Sequence, residues 1–107
     1  VVVLEPAGEF IGQLPVKLRA KALRAIDLLA NFGPFLSMPH SRKLAGYELW
    51  ELRVKQGKDI CKLFYFHHRE TVYVLTSGYV KKADRTSRRE IDRAMQLKRQ
   101  FLSEHTP

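Results

Sequence analysis

Cysteine is scarce in this chain, and long apolar runs are missing. Cys61 is the only cysteine, which excludes an internal disulfide and a four-cysteine zinc site and favours a reducing, cytoplasmic setting. No apolar run approaches the roughly 20 residues that a membrane-spanning helix needs, and the opening VVVL is too short for a signal-peptide core. No spacing of His, Cys and Asp indicates a metal site, and no glycine-rich loop indicates a nucleotide. We therefore expect no metal, no cofactor and no membrane association.

Acidic residues are also outnumbered. The 107-residue chain has 19 Lys and Arg against 11 Asp and Glu, a net charge of +8 with neutral histidine. Such a balance favours a polyanion or an acidic partner, although small basic proteins that bind no nucleic acid are common. The length fits one domain, and we expect a single domain over residues 1–107.

The hydrophobic pattern predicts an α+β domain. Residues 16–32 have helical spacing after Pro15, and a second long helix follows at 86–105, where Ser87 and Glu90 match a capping box. Residues 36–46 are predicted to form a loop. The expected architecture is a small antiparallel sheet, a meander of three strands plus an N-terminal strand, with N-terminal helices and a C-terminal helix. The predicted strands are 1–4, 47–55, 59–66 and 71–80.

Hairpin register places the side chains of these strands on two faces. A turn at Gln56-Gly57 puts Arg53 opposite Ile60 and on the same face as Lys62. Extending the register to the third strand puts Lys62 opposite Leu75 and adds Tyr79 to the cationic face. On this register Tyr73, Leu75 and Ser77 share that face, whereas Val72, Val74 and Thr76 point to the core. A one-residue slip would exchange the faces.

Three segments together resemble the HigB-type, phage-derived branch of the RelE/ParE toxin superfamily: MPHSRKLAGYELWELRV, CKLFYF and GYVKKADRTSRREIDRA. The resemblance extends from the first long helix to the last. The chain departs from the family pattern at Lys62, where arginine is more usual, at Ser87, where proline is more usual, and at Tyr79, where phenylalanine is common. Arginine can bind a phosphate through two parallel hydrogen bonds, and the ammonium of Lys62 lacks that bidentate geometry.

The resemblance implies a RelE-like fold and the toxin of a toxin–antitoxin pair. Its relatives cleave messenger RNA, usually in the ribosomal A site. The implied partner is an antitoxin, in this branch often a helix-turn-helix DNA-binding protein. The pair often represses its own operon, which implies contact with operator DNA through the complex.

Cationic side chains suit this chemistry without a metal. When the 2′-hydroxyl of RNA attacks the adjacent phosphate, Arg and Lys can orient the backbone and stabilise the added negative charge. We assign Arg53 and Lys62 to phosphate stabilisation and Tyr79 to base stacking. Lys81 and Lys82 are assigned to phosphate contact or proton transfer, because neighbouring cations disfavour the charge on one another.

Other basic side chains border this set and are predicted to bind RNA. Arginines on the first turn of a helix oppose its dipole, which indicates an anionic partner. The predicted RNA-binding residues are His40, Arg42, Lys43, Lys55, Arg85, Arg88 and Arg89.

Two other function classes stay open. A ParE-like protein would share the fold but inhibit DNA gyrase, and a non-catalytic module would bind RNA or DNA without cutting it. The individual side chains also have structural explanations. Arg53 can pair with Glu51, Lys62 can extend along apolar surface, and Tyr79 can pack in the core.

Overall fold

A computed structural model describes residues 1–36, 40–70, 72–81 and 86–105. The fold is α+β, with five strands in one sheet of order β1-β5-β4-β3-β2. Strand β1 runs parallel to β5, and the other pairs are antiparallel. The elements are β1 (Val2–Val3), α1 (Glu5–Gly12), α2 (Val16–Phe32), a 3-10 turn (Gly33–Phe35), β2 (Ser41–Lys43), β3 (Trp50–Gln56), β4 (Asp59–Arg69), β5 (Val72–Val80) and α3 (Arg88–His105).

Helices cover both faces of the sheet. Helices α1 and α2 bury Ala7, Leu18 and Leu29 in a cluster with Leu63 and other residues of one face. Helix α3 covers the opposite face, where its apolar side packs on the aromatic centre of β4. The buried members of this second cluster are Leu44, Leu49, Phe64, Phe66, Val74, Ile91, Ala94 and Phe101.

The long helices form where the apolar spacing predicts them. Leu18, Ala22 and Leu29 are buried along α2, and α2 ends at Gly33, whose φ of 50° is disfavoured for residues with a Cβ. Helix α3 begins after Ser87, whose carbonyl accepts the 3.0 Å hydrogen bond from the Ile91 amide. In the part of the chain that the structure describes, no helix is long and apolar enough to cross a membrane.

The first hairpin turns at Gly57-Lys58, one residue later than the predicted Gln56-Gly57 turn, and this moves the partner of each β3 residue by two positions along β4. Gln56 pairs with Asp59, and Arg53 pairs with Lys62 rather than with Ile60. Gly57 has a φ of 60°, a conformation that favours glycine in a tight turn. The shift of the pairing is even, so Arg53 and Lys62 stay on the same face, as predicted.

A β-bulge changes the predicted faces in β5. Phe64 pairs with Ser77 but Tyr65 pairs with Leu75, so Thr76 is an extra residue in β5. Beyond the bulge the faces exchange. The assignments of Val72, Val74, Tyr73 and Leu75 were therefore wrong: the two valines lie on the α3 face, and Tyr73 and Leu75 lie in the α1–α2 cluster.

The predicted loop at 36–46 contains a short strand. Ser41–Lys43 pairs with β3, with Arg42 opposite Glu51. Three residues are too few for strand alternation to be recognised in the sequence. The segment is a strand because it pairs with β3. This strand brings Arg42 to the same face as Arg53.

Candidate nucleic-acid interface

Arg53, Lys62 and Tyr79 form one row across three adjacent strands. Arg53 of β3 lies opposite Lys62 of β4, and Lys62 lies opposite Tyr79 of β5. Directly paired residues project from the same face, with neighbouring strands about 4.8 Å apart. Two residues beyond Tyr79, the Lys81 amide donates a 2.7 Å hydrogen bond to the Ile60 carbonyl of β4, and we call this position the next row of the same face. The sheet therefore brings three of the predicted catalytic residues together and places Lys81 one row away.

Lys62 is held by a buried carboxylate. Only 2% of the residue is exposed, and its Nζ donates to Glu51 Oε1 at 3.0 Å and to Thr86 Oγ1 at 2.7 Å. Burial lowers the pKa of Lys62, while the hydrogen bond and charge of Glu51 oppose that shift. The Lys62 ammonium is thus already hydrogen-bonded to protein groups within the fold.

Glu51 is the centre of this network, which we call the Glu51 cluster: Arg42, Glu51, Lys62 and Thr86. Glu51 Oε1 accepts hydrogen bonds from Arg42 Nε at 3.1 Å and from Arg42 Nη2 at 2.7 Å. Glu51 Oε2 accepts a 2.8 Å hydrogen bond from the Thr86 hydroxyl. Two cations around one carboxylate leave the cluster with one excess positive charge.

Sequence reasoning missed Glu51 and Thr86 as parts of the site. One signal for Glu51 was available, because strand alternation puts it on the face of Arg53 and Lys62. The predicted register placed Glu51 opposite Lys62, and an ion pair with Arg53 was the structural alternative. In the structure Glu51 lies opposite Phe64, and its carboxylate pairs with Lys62 and Arg42. Thr86 carried no comparable signal, since a threonine before a helix is most simply a cap.

Tyr79 links the sheet to the start of α3. Its hydroxyl accepts a 3.0 Å hydrogen bond from the Ser87 amide, and its ring stacks on Phe64 with centroids 5.8 Å apart. Burial raises the pKa of Tyr79, and the hydrogen bond from Ser87 opposes that shift. The residue is half-buried, so part of the phenol faces solvent beside the row.

The other predicted RNA-binding residues lie at the surface. The Arg42 side chain is 48% exposed although it bonds Glu51, and Lys43 pairs with the exposed Glu48 at 3.1 Å. The remaining described members are exposed, and Lys82 and Arg85 fall outside the described residues. These exposed members are His40, Lys55, Arg88 and Arg89.

A groove of about 500 Å³ adjoins Arg53, between α2 and β3. Aliphatic side chains and several basic residues line it, and two of the basic residues come from α2. The lining is Lys21, Arg24, Ala25, Leu28, His40, Arg53, Val54 and Lys55. Within the described residues the Arg53 guanidinium has no hydrogen-bond or ion-pair partner, so it is available to an anion.

The described residues contain no group of three His, Cys, Asp or Glu side chains arranged to hold a metal ion. The cations, hydroxyls and phenol of the cationic face can bind anions, donate hydrogen bonds and transfer protons.

The five-stranded, mostly antiparallel sheet with N-terminal and C-terminal helices is compatible with the RelE-like fold. The family model of phage-derived Gp49-like proteins (DUF891) matches residues 9–99, so the chain belongs to that family. This is a RelE/toxin-like family, related to RelE-type toxins, which are endoribonucleases. Toxins of this kind generally pair with an antitoxin. No curated protein matches the chain.

Proposed function

We propose that this protein is the toxin of a type II toxin–antitoxin system, of the HigB type, and that it cleaves messenger RNA on the ribosome. The observation that carries the proposal is the row of Arg53, Lys62 and Tyr79 on one face of the sheet. The bond is broken when the 2′-hydroxyl attacks the adjacent phosphate. The products are a 2′,3′-cyclic phosphate and a free 5′-hydroxyl.

Arg53 is the principal phosphate ligand in this proposal. Its guanidinium has no partner among the described residues, and it lies beside the groove that leads to α2. A guanidinium can donate two parallel hydrogen bonds to a phosphate, and these strengthen as negative charge accumulates in the transition state. Arg42 is a second donor, because Glu51 holds its Nε and Nη2 and leaves nearly half of the side chain exposed.

Lys62 contributes to the site through Glu51 rather than as a free ammonium. Its Nζ already donates hydrogen bonds to Glu51 and Thr86, so direct contact with a phosphate would require it to leave one of them. We therefore assign Lys62 mainly to the electrostatics of the face. Together with Arg42 it gives the Glu51 cluster its net positive charge.

Lys81 and Lys82 remain the candidates for proton transfer. Lys81 lies one row from Lys62, near enough for its charge to lower the pKa of Lys62. Tyr79, half-buried on the same face as Lys62, can contact a base or ribose. His40, at the groove, is a further candidate for moving a proton.

The groove supplies a path for the neighbouring nucleotides. Lys21 and Arg24 of α2 line the groove together with Arg53 and Lys55 of β3, so positive charge continues from the face of Arg53 to α2, which covers the other face of the sheet. Backbone contacts of this kind give affinity without reading sequence. An antitoxin that masks this face would neutralise the toxin, and we propose a helix-turn-helix DNA-binding antitoxin whose complex with the toxin binds the operator.

Arg53→Ala tests the proposal on ribosomes programmed with a defined message. We expect the cleavage rate to fall roughly 100- to 1000-fold, the usual effect of removing one well-placed donor. Arg69→Ala is the matched control, because it removes the same charge from the exposed far end of β4 and should cleave like the unsubstituted protein. End mapping of the products should show a 5′-hydroxyl at each cut.

Three results would overturn the proposal. Full cleavage by Arg53→Ala would remove the assigned phosphate ligand. Inhibition of DNA supercoiling with intact messages would indicate a gyrase inhibitor. Salt-dependent RNA binding without any cleavage would indicate a non-catalytic binding module.

A further inference from the structure

The start of α3 is attached to the sheet through Thr86 and Ser87. The Thr86 hydroxyl donates to Glu51 Oε2 at 2.8 Å and accepts from Lys62 Nζ at 2.7 Å. The Ser87 amide donates to the Tyr79 hydroxyl at 3.0 Å. The placement of the first turn of α3 over the cationic face therefore depends on these bonds.

Glu51 connects this attachment to the exposed arginine. One carboxylate oxygen accepts from Arg42 and Lys62, and the other accepts from Thr86. Arg42 Nη2 also lies 3.3 Å from Thr86 Oγ1. One buried group thus fixes both a surface guanidinium and the residue that precedes the first turn of α3.

A purely structural explanation for Glu51 is weak on energetic grounds. A buried ion pair is often no more stabilising than well-packed apolar side chains of similar volume, because both charges lose their hydration. Here the carboxylate is 3% exposed and Lys62 is 2% exposed. Such a network is best explained by the geometry it imposes on the groups around it.

We propose that Glu51 and Thr86 are positioning residues of the cleavage site. Glu51 orients Arg42 toward the phosphate, and its bond to Thr86 holds the start of α3 against Tyr79 and the Glu51 cluster. This inference rests on the proposed function. It predicts that loss of the Thr86 hydroxyl slows the chemical step while leaving the binding of programmed ribosomes nearly unchanged, since the cations that supply binding are all retained.

Thr86 offers a matched pair of substitutions. Thr86→Val keeps the shape of the side chain and removes the hydroxyl, whereas Thr86→Ser keeps the hydroxyl. The assay is single-turnover cleavage by the full chain on programmed ribosomes, measured over a range of ribosome concentrations. We expect Thr86→Val to lower the saturating rate at least about tenfold, with a half-saturating concentration within about twofold, and Thr86→Ser to restore the rate.

Hydrogen exchange gives a second readout that needs no cleavage. In Thr86→Val, the hydrogen-bonded amides of Ser87 and Ile91 should exchange at least about tenfold faster, because the start of α3 loses its bond to Glu51, while amides of α2 should be unaffected. Thr86→Ser should exchange like the unsubstituted protein. Glu51→Gln should also lower the saturating cleavage rate and speed the exchange of these amides. If Glu51→Gln fails to fold, the comparison of Thr86→Val with Thr86→Ser still tests the positioning role.

The outcomes separate this inference from the proposed function. If the unsubstituted protein cleaves but Thr86→Val is equally fast at saturation, or Thr86→Ser is as slow as Thr86→Val, the positioning role is wrong. If the unsubstituted protein never cleaves, the proposed function fails, and the exchange measurement still tests the attachment. Unchanged exchange in Thr86→Val would then overturn the attachment as well.

Discussion

Lys62 Nζ lies 3.0 Å from Glu51 Oε1, and the two side chains are only 3% and 4% exposed. The cationic face therefore contains a buried ion pair as well as cations that are exposed to solvent, such as Arg42. Removing Glu51 leaves Lys62 buried without its counter-charge, whereas removing Lys62 leaves Glu51 paired with Arg42 alone. The energetic consequences can be measured independently of any nuclease activity.

Glu51→Leu should cost about 3–5 kcal/mol of unfolding free energy, because it leaves Lys62 buried and unpaired. The double variant Glu51→Leu with Lys62→Met should recover much of that loss, since no charge then remains without a partner. Urea unfolding measures both. Glu48→Ala is the control: it breaks the exposed Lys43–Glu48 pair and should cost less than about 1 kcal/mol. A Glu51→Leu loss as small as the control would show that the pair contributes little.

Cys61 should make the fold sensitive to alkali. Burial raises the pKa of the Cys61 thiol from 9.0 to about 11. Between these values the unfolded chain loses the thiol proton and the folded protein keeps it. This contribution is fully present below pH 9.0 and is lost as the pH rises toward 11, at about 1.4 kcal/mol per pH unit.

Urea unfolding from pH 8 to pH 11, compared between the unsubstituted protein and Cys61→Ala, isolates this effect. Burial also raises the pKa values of Tyr65 and Tyr79, but both tyrosines are present in both proteins. The stability difference between the two proteins should shrink as the pH rises. Parallel curves would contradict the assignment.

Gly78 is in contact with side chains that leave no space for a methyl group. A Cβ at this position would lie 2.6 Å from Phe10 Cδ2 and 2.7 Å from Leu63 Cδ2. Gly78→Ala should therefore destabilise the protein by about 1–3 kcal/mol. At Gly12, where a Cβ would meet nothing within 4 Å, alanine should be neutral or stabilising by up to about 1 kcal/mol. The thermal unfolding midpoints of Gly78→Ala and Gly12→Ala test this prediction, and equal midpoints would contradict the close packing around Gly78.

The Tyr73 hydroxyl is buried and has no hydrogen-bond partner among the described residues. A buried hydroxyl without a partner costs about 1–3 kcal/mol, so Tyr73→Phe should preserve or increase stability. Tyr65→Phe is the contrasting variant, because the Tyr65 hydroxyl bonds the buried Ser41 and its removal leaves that serine without its partner. A larger loss in Tyr73→Phe than in Tyr65→Phe would show that the Tyr73 hydroxyl is paired.

Most of the fold was predictable from local pattern. The helical spacing of Leu18, Ala22 and Leu29 and the alternation of β3 and β4 specify their elements without long-range information. The shared face of Arg53 and Lys62 also followed, because the actual pairing of β3 with β4 differs from the predicted one by two residues, an even number. Residues 41–43 form a strand only through pairing with β3, and a three-residue segment carries no periodic signal of its own.

The predicted faces of β5 were wrong because the sequence of this strand is compatible with either face for residues 72–75. Residues 72–77 contain apolar or small side chains at both odd and even positions, so alternation could not locate the bulge at Thr76. Helices cover both faces of the sheet, and each face accepts such side chains. The packing of Leu75 against α1 and α2, and of Val74 against α3, selects the observed register.

Local order along the chain thus determined the helices, the central strands, the excess of positive charge and the membership of Arg53 and Lys62 in one face. The tertiary fold alone decided that Lys62 is buried, that Glu51 joins it to Arg42, and that Thr86 completes the network. The physical reason is distance in sequence. Periodicity reports which side of an element is apolar, whereas the burial and pairing of a charge depend on which remote segment covers it, here the start of α3, 35 residues beyond Glu51.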